Sequence, residues 1–185
     1  MLKTNRYRIY PNNEQEILIN KTFGCVRMVY NKMLKFKQDL YNQTLMSFSK
    51  TECNNWINRV LKEEYPFLRE VDKFSLTNAI YNLDSAYKHF FKEHIGYPKY
   101  KSKKDNHNAY MTNYTNKNIT VDYDNNLIKL PKLGYVKGKI HRRLIGKIKN
   151  ATVSRKPSGA YFVSITYECD NNETLPVTNR HKYLL

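Results

Sequence analysis

The sequence predicts an α+β fold in which a β-barrel-like domain is interrupted by an inserted helical domain. A short strand pattern comes first, at residues 7–10. Apolar residues then recur at helical spacing, and from residue 119 onward they alternate with a period of two. Strands on both sides of a helical stretch indicate one β-domain split by an insertion. We therefore expect a first strand (1–11), a helical domain (12–96), a basic linker (97–118), the remaining strands (119–170) and a divergent tail (171–185).

Three helices are predicted within the inserted domain. Residues that can cap a helix N-terminus stand at Asn12 or Asn13, Ser49 and Asp72. Glu52 follows Ser49 by three residues and completes a capping box. Proline disfavours helical backbone in the residue before it, and glycine is the common residue just after a helix. The helices are expected to end near Asn42, before Pro66 and at Gly96.

The strands after the helices are predicted from alternation and turn residues. Residues 119–121 are expected to pair with residues 127–130 across the turn Asp124-Asn-Asn126. Further strands are predicted at residues 136–140, 146–154 and 160–167. The last two are joined by Lys156-Pro-Ser-Gly159, a sequence typical of a hairpin turn.

The charge pattern gives the strongest functional signal. The chain has 185 residues, a formal net charge of +16 and a pI near 9.7. Between Asn125 and Tyr167 there are ten Lys and Arg residues and no Asp or Glu. Like charges on a compact surface repel one another, so a polyanion is expected to supply the missing negative charge. Nucleic acid is the commonest such partner.

Three basic clusters are predicted to bind RNA or other phosphate groups. The first is the lysine segment, residues 99–104, whose cations can track a phosphate backbone while Tyr97 and Tyr100 stack on an unpaired base. The other two lie among the strands, where arginine suits bidentate phosphate contact. The predicted residues are Lys99, Lys101, Lys103, Lys104, Arg142, Arg143, Lys147, Lys149, Arg155 and Lys156.

Several classes of function are disfavoured by the sequence. The cysteines Cys25, Cys53 and Cys169 lie far apart without a CxxC pair, so neither zinc nor another cofactor is predicted. No set of carboxylates has the pattern of a two-metal nuclease, and no phosphate-binding loop or nucleophile motif is present. The sequence shows neither a signal peptide nor an apolar run that could span a bilayer. We expect a cytoplasmic protein that makes no membrane contact and is not itself an enzyme.

A series of short motifs resembles the N-terminal half of the TnpB family, the OrfB "transposase" proteins of bacterial insertion sequences. The similarity covers about residues 5 to 169. Each motif is weak alone, but their order along the chain is specific. The motifs include Phe23-Gly-Cys-Val-Arg27, Glu70-Val-Asp-Lys-Phe74, Gly96-Tyr-Pro-Lys-Tyr-Lys101, Leu130-Pro-Lys-Leu-Gly134 and Thr152-Val-Ser-Arg155.

This resemblance implies both a fold and partners. It implies a wedge-like β-barrel split by a helical recognition domain, with first helices traditionally described as helix-turn-helix. It further implies binding of a guide RNA and of a short motif in double-stranded DNA. The residues implied to contact the DNA motif are Phe48 in the first inter-helix loop, Lys73 and Thr77 in the third helix, and Tyr114, Thr115 and Asn116 after the lysine segment.

The resemblance stops near Glu168, where members of the family begin a RuvC nuclease domain that is followed by a zinc ribbon. Residues 171–185 do not resemble that domain, so no nuclease residue can be assigned. We therefore expect the chain to bind RNA and DNA without cutting. Two alternatives remain: a separate RuvC-containing chain supplies the nuclease, or the protein is an unrelated basic RNA-binding module.

Overall fold

The computed structural model describes residues 1–105 and 108–169. The predicted tail at residues 171–185 lies outside these residues. Within the described residues, one strand precedes the helices and six follow them. The strands are β1 (Leu2–Tyr10), β2 (Asn108–Asn113), β3 (Thr120–Asp122), β4 (Leu127–Leu130), β5 (Gly134–Lys139), β6 (Lys147–Arg155) and β7 (Tyr161–Glu168). The α-helices are α1 (Asn13–Thr44), α2 (Lys50–Trp56), α3 (Lys62–Glu64) and α4 (Lys73–Glu93).

All seven strands form one antiparallel sheet with the order β2-β6-β7-β1-β5-β4-β3. The α+β class is thus confirmed, but the expected β-barrel is wrong. Closure would require the two edge strands, β2 and β3, to pair with each other, and in the described residues they lie at opposite ends of the sheet. The first strand of the chain occupies the centre, where it pairs with β7 over eight residues and with β5 over three.

Helix α1 begins where the sequence predicts. The Asn12 side chain accepts a hydrogen bond from the Gln15 backbone N–H at 2.9 Å, and the Gln15 side chain accepts one from the Asn12 N–H at 3.0 Å. The same Gln15 amide donates to the carbonyls of Leu133 and Tyr135, which ties the start of α1 to β5. The helix ends at Leu45, whose φ of 60° places it in the left-handed region.

The second helical stretch also has its predicted capping box, between Ser49 and Glu52. The first α-helical part, α2, continues as a π-helical turn, Ile57–Leu61, before α3. This continuation keeps two apolar residues of the turn, Ile57 and Leu61, fully buried. The stretch stops at Tyr65, before Pro66 as predicted, and a 3-10 turn, Pro66–Arg69, follows.

Helix α4 starts at the predicted cap but ends earlier than predicted. The Asp72 carboxylate accepts a hydrogen bond from the Ser75 N–H at 3.1 Å. The helix finishes at Glu93, and His94 adopts the left-handed conformation with φ of 53°, so Gly96 is not the C-terminal residue that was expected. Histidine can occupy this region, although less readily than glycine.

Strand β2 was not predicted, and its residues lie within the segment that was expected to be a basic linker (97–118). It pairs with β6 over six residues and carries the buried Tyr110. That ring packs on Phe23 of α1, with 5.7 Å between ring centroids. Burial raises the pKa of the Tyr110 hydroxyl far above its usual range. Helices and sheet therefore share one hydrophobic core across this contact.

Candidate nucleic-acid interface

The face of the sheet that points away from the helices is basic. Along β1 the buried Tyr7 and Ile9 alternate with the exposed Arg6 and Arg8, because successive side chains of a strand point to opposite faces. Lys139 of β5 lies directly opposite Arg8 in the strand register. Three cations are thereby placed on one side of two neighbouring strands.

These cations converge on a shallow cavity of about 260 Å³, here called the outer-face pocket. The Arg6 guanidinium lies 4.2 Å from the centroid of the Phe162 ring, and the Lys156 ammonium lies 5.8 Å from it. No carboxylate lines the pocket, and among the described residues its lysines and arginines form no ion pair. The full lining is Arg6, Arg8, Lys139, His141, Lys156 and Phe162.

Such an arrangement is suited to a phosphate-bearing ligand. Guanidinium groups bind phosphate oxygens through paired hydrogen bonds, and these charge-assisted bonds are stronger than neutral ones. Without an anion, the converging cations repel one another. The ring of Phe162 supplies an apolar floor that lowers the cost of holding Arg6 in place, since a cation over an aromatic face gains about 0.5–1 kcal/mol at an exposed site.

The loop that carries Arg142 and Arg143 is fixed through its backbone. The Tyr7 hydroxyl donates to the Arg142 carbonyl at 2.8 Å, and Asn5 donates to the Arg143 carbonyl at 3.4 Å. Burial raises the pKa of the Tyr7 hydroxyl, which therefore stays protonated and able to donate. Both arginine side chains remain exposed, so the loop presents them to solvent next to His141 of the outer-face pocket.

The predicted cations of β6 and its turn do not act as one cluster. Lys149 forms an ion pair with Glu168 at 2.6 Å, and neighbouring Lys147 is exposed at the same end of the strand. Arg155 at the other end donates a hydrogen bond to the Asn20 side chain of α1 at 2.8 Å. Lys156 alone of the predicted residues lines the outer-face pocket.

The lysine segment is held against α1 instead of extending freely into solvent. Asn31 donates to the Lys101 carbonyl at 2.9 Å and accepts from the Lys101 N–H at 2.8 Å. The Lys101 ammonium lies 4.2 Å from the Tyr30 ring centroid, and burial lowers the pKa of this amine. The remaining lysines of the segment are exposed, namely Lys99, Lys103 and Lys104.

Four of the six predicted DNA-contact residues gather around α4 and the turn after β2. The Thr77 hydroxyl donates to Asn54 of α2 at 3.0 Å. Its neighbour Asn78 donates to the Asn113 side chain at 3.2 Å, at the end of β2. The turn that follows Asn113 carries the exposed Tyr114, the half-buried Thr115 and the exposed Asn116, whose φ is 46°.

The other two predicted DNA-contact residues differ in placement. Lys73 is exposed at the first position of α4, where its ammonium lies 5.1 Å from the Phe74 ring centroid. Phe48 is half-buried and packs edge-on against Phe36 of α1 at 5.1 Å. Because Phe36 also stacks on Trp56 of α2, the Phe48 side chain belongs to the packing between α1 and α2.

Five residues of the outer-face pocket were not predicted from the sequence: Arg6, Arg8, Lys139, His141 and Phe162. Arg6 and Arg8 could have been predicted from the alternation in Leu2–Tyr10, where polar or charged residues occupy every second position. The remaining three become neighbours only through strand pairing between β1, β5 and β7.

In residues 1–105 and 108–169, no three His, Cys, Asp or Glu side chains are placed to share a metal ion. None of the helices in the same residues combines the length and apolar character needed to cross a membrane.

The fold and the pocket define a basic α+β protein with a cationic surface on an open sheet. Residues 1–46 match the family HTH_OrfB_IS605, described as a helix-turn-helix domain. In the structure these residues form β1, α1 and the first residues after α1. The chain belongs to the TnpB/OrfB family of insertion-sequence transposase proteins and corresponds to an N-terminal portion that includes the helix-turn-helix domain.

Two curated relatives are similar over most of the chain. A putative RNA-guided DNA endonuclease of Streptomyces pristinaespiralis is 32% identical over 170 residues, and the match covers 88% of this chain and 40% of that protein. The putative RNA-guided DNA endonuclease InsQ of Escherichia coli (strain K12) is 25% identical over 170 residues, 91% of this chain and 41% of that protein. The chain thus spans about two fifths of the length of these relatives.

One solved structure that the chain matches is a cryo-EM structure of a Cas12f1–sgRNA–target DNA complex. The match covers 92% of this chain and 49% of the chain in that complex, with 13% sequence identity and a TM-score of 0.47.

Proposed function

We propose that this chain is the nucleic-acid-binding part of a TnpB/OrfB-like protein, which binds a guide-type RNA and a short motif in double-stranded DNA. The observation that supports this proposal is the outer-face pocket, where Arg6, Arg8, Lys139 and Lys156 converge without a carboxylate. Phosphate contacts are the main source of affinity for nucleic acid, and they need cations presented in this way.

The RNA is assigned to the basic sheet face and its loop. Exposed Arg142 and Arg143 extend the cationic surface beyond the outer-face pocket, and the lysine segment provides a further basic surface beside α1. Hydrogen bonds from the Tyr7 and Asn31 side chains to backbone carbonyls hold these two elements in place before any ligand binds. Preorganisation of this kind lowers the entropic cost of binding.

The DNA motif is assigned to the start of α4 and the turn after β2. A helix N-terminus attracts phosphate through its unpaired N–H groups. Here the Asp72 carboxylate already accepts from the Ser75 N–H, and its negative charge opposes a phosphate at that point. Lys73 offsets that charge, and Thr77 and Asn116 present hydrogen-bonding groups that can meet base edges or sugar oxygens.

We further propose that the chain of 185 residues binds without cutting. Its carboxylates lack the pattern of a two-metal site in the sequence. The matches described above do not favour a separate RuvC-containing chain, and family membership argues against an unrelated basic module. Incubation of the purified chain with Mg²⁺ and plasmid DNA should leave the DNA uncut, and metal-dependent nicking by a homogeneous preparation would contradict this part of the proposal.

The test of RNA binding is to express the chain from its gene together with the adjoining DNA, and to sequence the RNA that co-purifies at moderate salt. We expect one RNA from the adjoining DNA to be strongly enriched over bulk cellular RNA. A mixture of cellular RNAs that salt removes evenly would contradict guide binding and leave only sequence-independent polyanion binding.

A further inference from the structure

A second concave surface lies between the C-terminal halves of α1 and α4, with a volume of about 820 Å³. Its floor consists of aromatic rings that contact one another. Tyr87 stacks on Phe91 with 6.3 Å between centroids, and Tyr97 meets Tyr87 edge-on at 5.7 Å and Phe90 at 5.2 Å. The hydroxyls of Tyr87 and Tyr97 are hydrogen-bonded at 3.1 Å. We call this surface the aromatic groove.

Several rings of the aromatic groove are exposed, although Tyr87 also packs against the hydrophobic core. Phe91 is 68% exposed, Tyr97 is 42% exposed, and Tyr41 on the α1 wall is 55% exposed. Single apolar side chains on a surface need no explanation, but several exposed aromatic rings in one concavity mark an interaction site. Folding of this chain alone does not account for their position.

The charges at the rim of the groove favour an anionic ligand. Both acids that line it, Asp39 and Asp84, form ion pairs with lysines at 3.0 to 3.3 Å. Lys37 of α1 lies 5.1 Å from the Tyr87 ring centroid, and Lys92 lies on the α4 wall. Neither of these two lysines has a carboxylate partner among the described residues, so each wall carries one ammonium group that is not neutralised.

We propose that the aromatic groove binds unpaired bases of a single-stranded nucleic acid segment. The bases stack on Phe91 and its neighbours while Lys37 and Lys92 contact the flanking phosphates, an arrangement that tolerates any base because every base has a flat aromatic face. The groove is separate from the outer-face pocket and deepens the proposed function, on which it rests. Both α1 and α4 end near this surface, and helix C-termini repel anions, so the phosphates bind at the lysine rims and not at the helix ends.

A second copy of this chain is a weaker candidate for the groove. Two molecules that each carry a formal net charge of +16 repel one another at low and moderate salt. A nucleic acid strand instead brings aromatic bases and negative charge together, which matches both the floor and the rims of the groove.

The test compares two fluorescent RNA probes with the same number of phosphates, a short oligouridine and a blunt-ended duplex, by anisotropy titration. Phe91→Ala should weaken binding of oligouridine roughly 5- to 100-fold, the effect of one lost base stack. It should change duplex binding by less than about twofold, because paired bases are not available to the groove. Phe91→Trp should retain single-strand binding. Phe67→Ala, which removes a partly exposed aromatic ring elsewhere, is the matched control and should change neither affinity.

The outcomes separate this proposal from the proposed function. If the unaltered chain binds both probes and Phe91→Ala weakens both equally or neither, the groove does not bind bases and the proposed function stands. If the unaltered chain binds neither probe at low salt, the proposed function fails and this inference fails with it. If light scattering shows that Phe91→Ala dissociates a dimer while probe binding is unchanged, the groove is a self-association surface and the inference is overturned.

Discussion

Replacing the two arginines of β1 in the outer-face pocket, Arg6→Gln with Arg8→Gln, is expected to weaken RNA binding and to reduce its dependence on salt. The pocket presents four lysine and arginine side chains, and this variant retains Lys139 and Lys156. Each phosphate that is neutralised on a single strand contributes about −0.7 to the slope of log K against log salt. If each cation meets one phosphate, the slope contributed by the pocket falls from about −2.8 to about −1.4.

The size of the effect can be stated over an accessible range of salt. Between 50 and 200 mM salt, the contribution of the pocket to the RNA-binding constant should fall by about 1.7 decades in the unaltered chain and by about 0.8 decades in the variant. Both arginines are exposed on the outer face of β1, so the fold should persist. Loss of the contact between Arg6 and Phe162 should cost no more than about 1 kcal/mol of stability.

Anisotropy titrations of a labelled oligouridine at several salt concentrations measure this slope, with circular dichroism to check that the variant is folded. Arg59→Gln with Arg69→Gln is the matched control, because it removes two exposed arginines from the helical side of the molecule. Equal slopes for the unaltered chain and the pocket variant would refute the assignment of phosphates to the pocket. An equal reduction in the control would show that binding follows net charge alone.

Three further predictions concern the structure that supports the site. Gly146→Ala should lower the free energy of unfolding, measured by denaturant titration, by at least about 2 kcal/mol, because φ is +134° and the new Cβ would lie 2.0 Å from a backbone carbonyl oxygen. The control Gly96→Ala places its Cβ in open space and should lower the free energy of unfolding far less. Asn78→Ala should cost about 1–3 kcal/mol by leaving a β2 carbonyl unpaired, whereas Asn82→Ala on the exposed side of α4 should be nearly neutral; equal costs would contradict this. Asn31→Ala should release the lysine segment from α1, so that its amide hydrogens exchange faster while the free energy of unfolding falls by less than about 1 kcal/mol. Unchanged hydrogen exchange in the segment would show that Asn31 does not anchor it.

The starts of the helices could be predicted from sequence because capping is a local interaction. Asn12, Ser49 and Asp72 each accept a hydrogen bond from an N–H three residues later, and the sequence contains all the information that this contact needs. The end of α4 was harder, because His94 takes a left-handed conformation in which glycine would have been preferred. No local signal distinguishes that histidine from one that continues the helix.

The topology of the sheet could be predicted only in part. The β6–β7 hairpin and the β3–β4 pair follow from turn residues and alternation. An open sheet cannot be distinguished from a barrel in this way, because closure depends on whether two edge strands that are distant in sequence meet. Strand β2 was missed because its residues follow a lysine-rich segment and its pairing partner, β6, begins more than thirty residues later.

The candidate site shows the same division between local and distant information. The acid-free basic stretch led to Lys156, Arg142 and Arg143, which lie in or beside the outer-face pocket. Arg155, which is adjacent in sequence to Lys156, instead contacts α1 through Asn20. Composition identifies a basic region, but the side of the sheet that each cation occupies depends on strand register.

The central position of β1 makes the outer-face pocket a product of the whole chain. Arg6 and Arg8 come from β1, Lys139 from β5 and Phe162 from β7. Since β1 pairs with β7 across about 160 residues of sequence, as in the pair of Arg6 with Ser164, the pocket cannot form before the last strand has joined the sheet. The cations of the pocket therefore converge only after β1 has paired with β5 and β7. Repulsion between these cations therefore destabilises mainly the folded state, and a bound phosphate offsets that destabilisation.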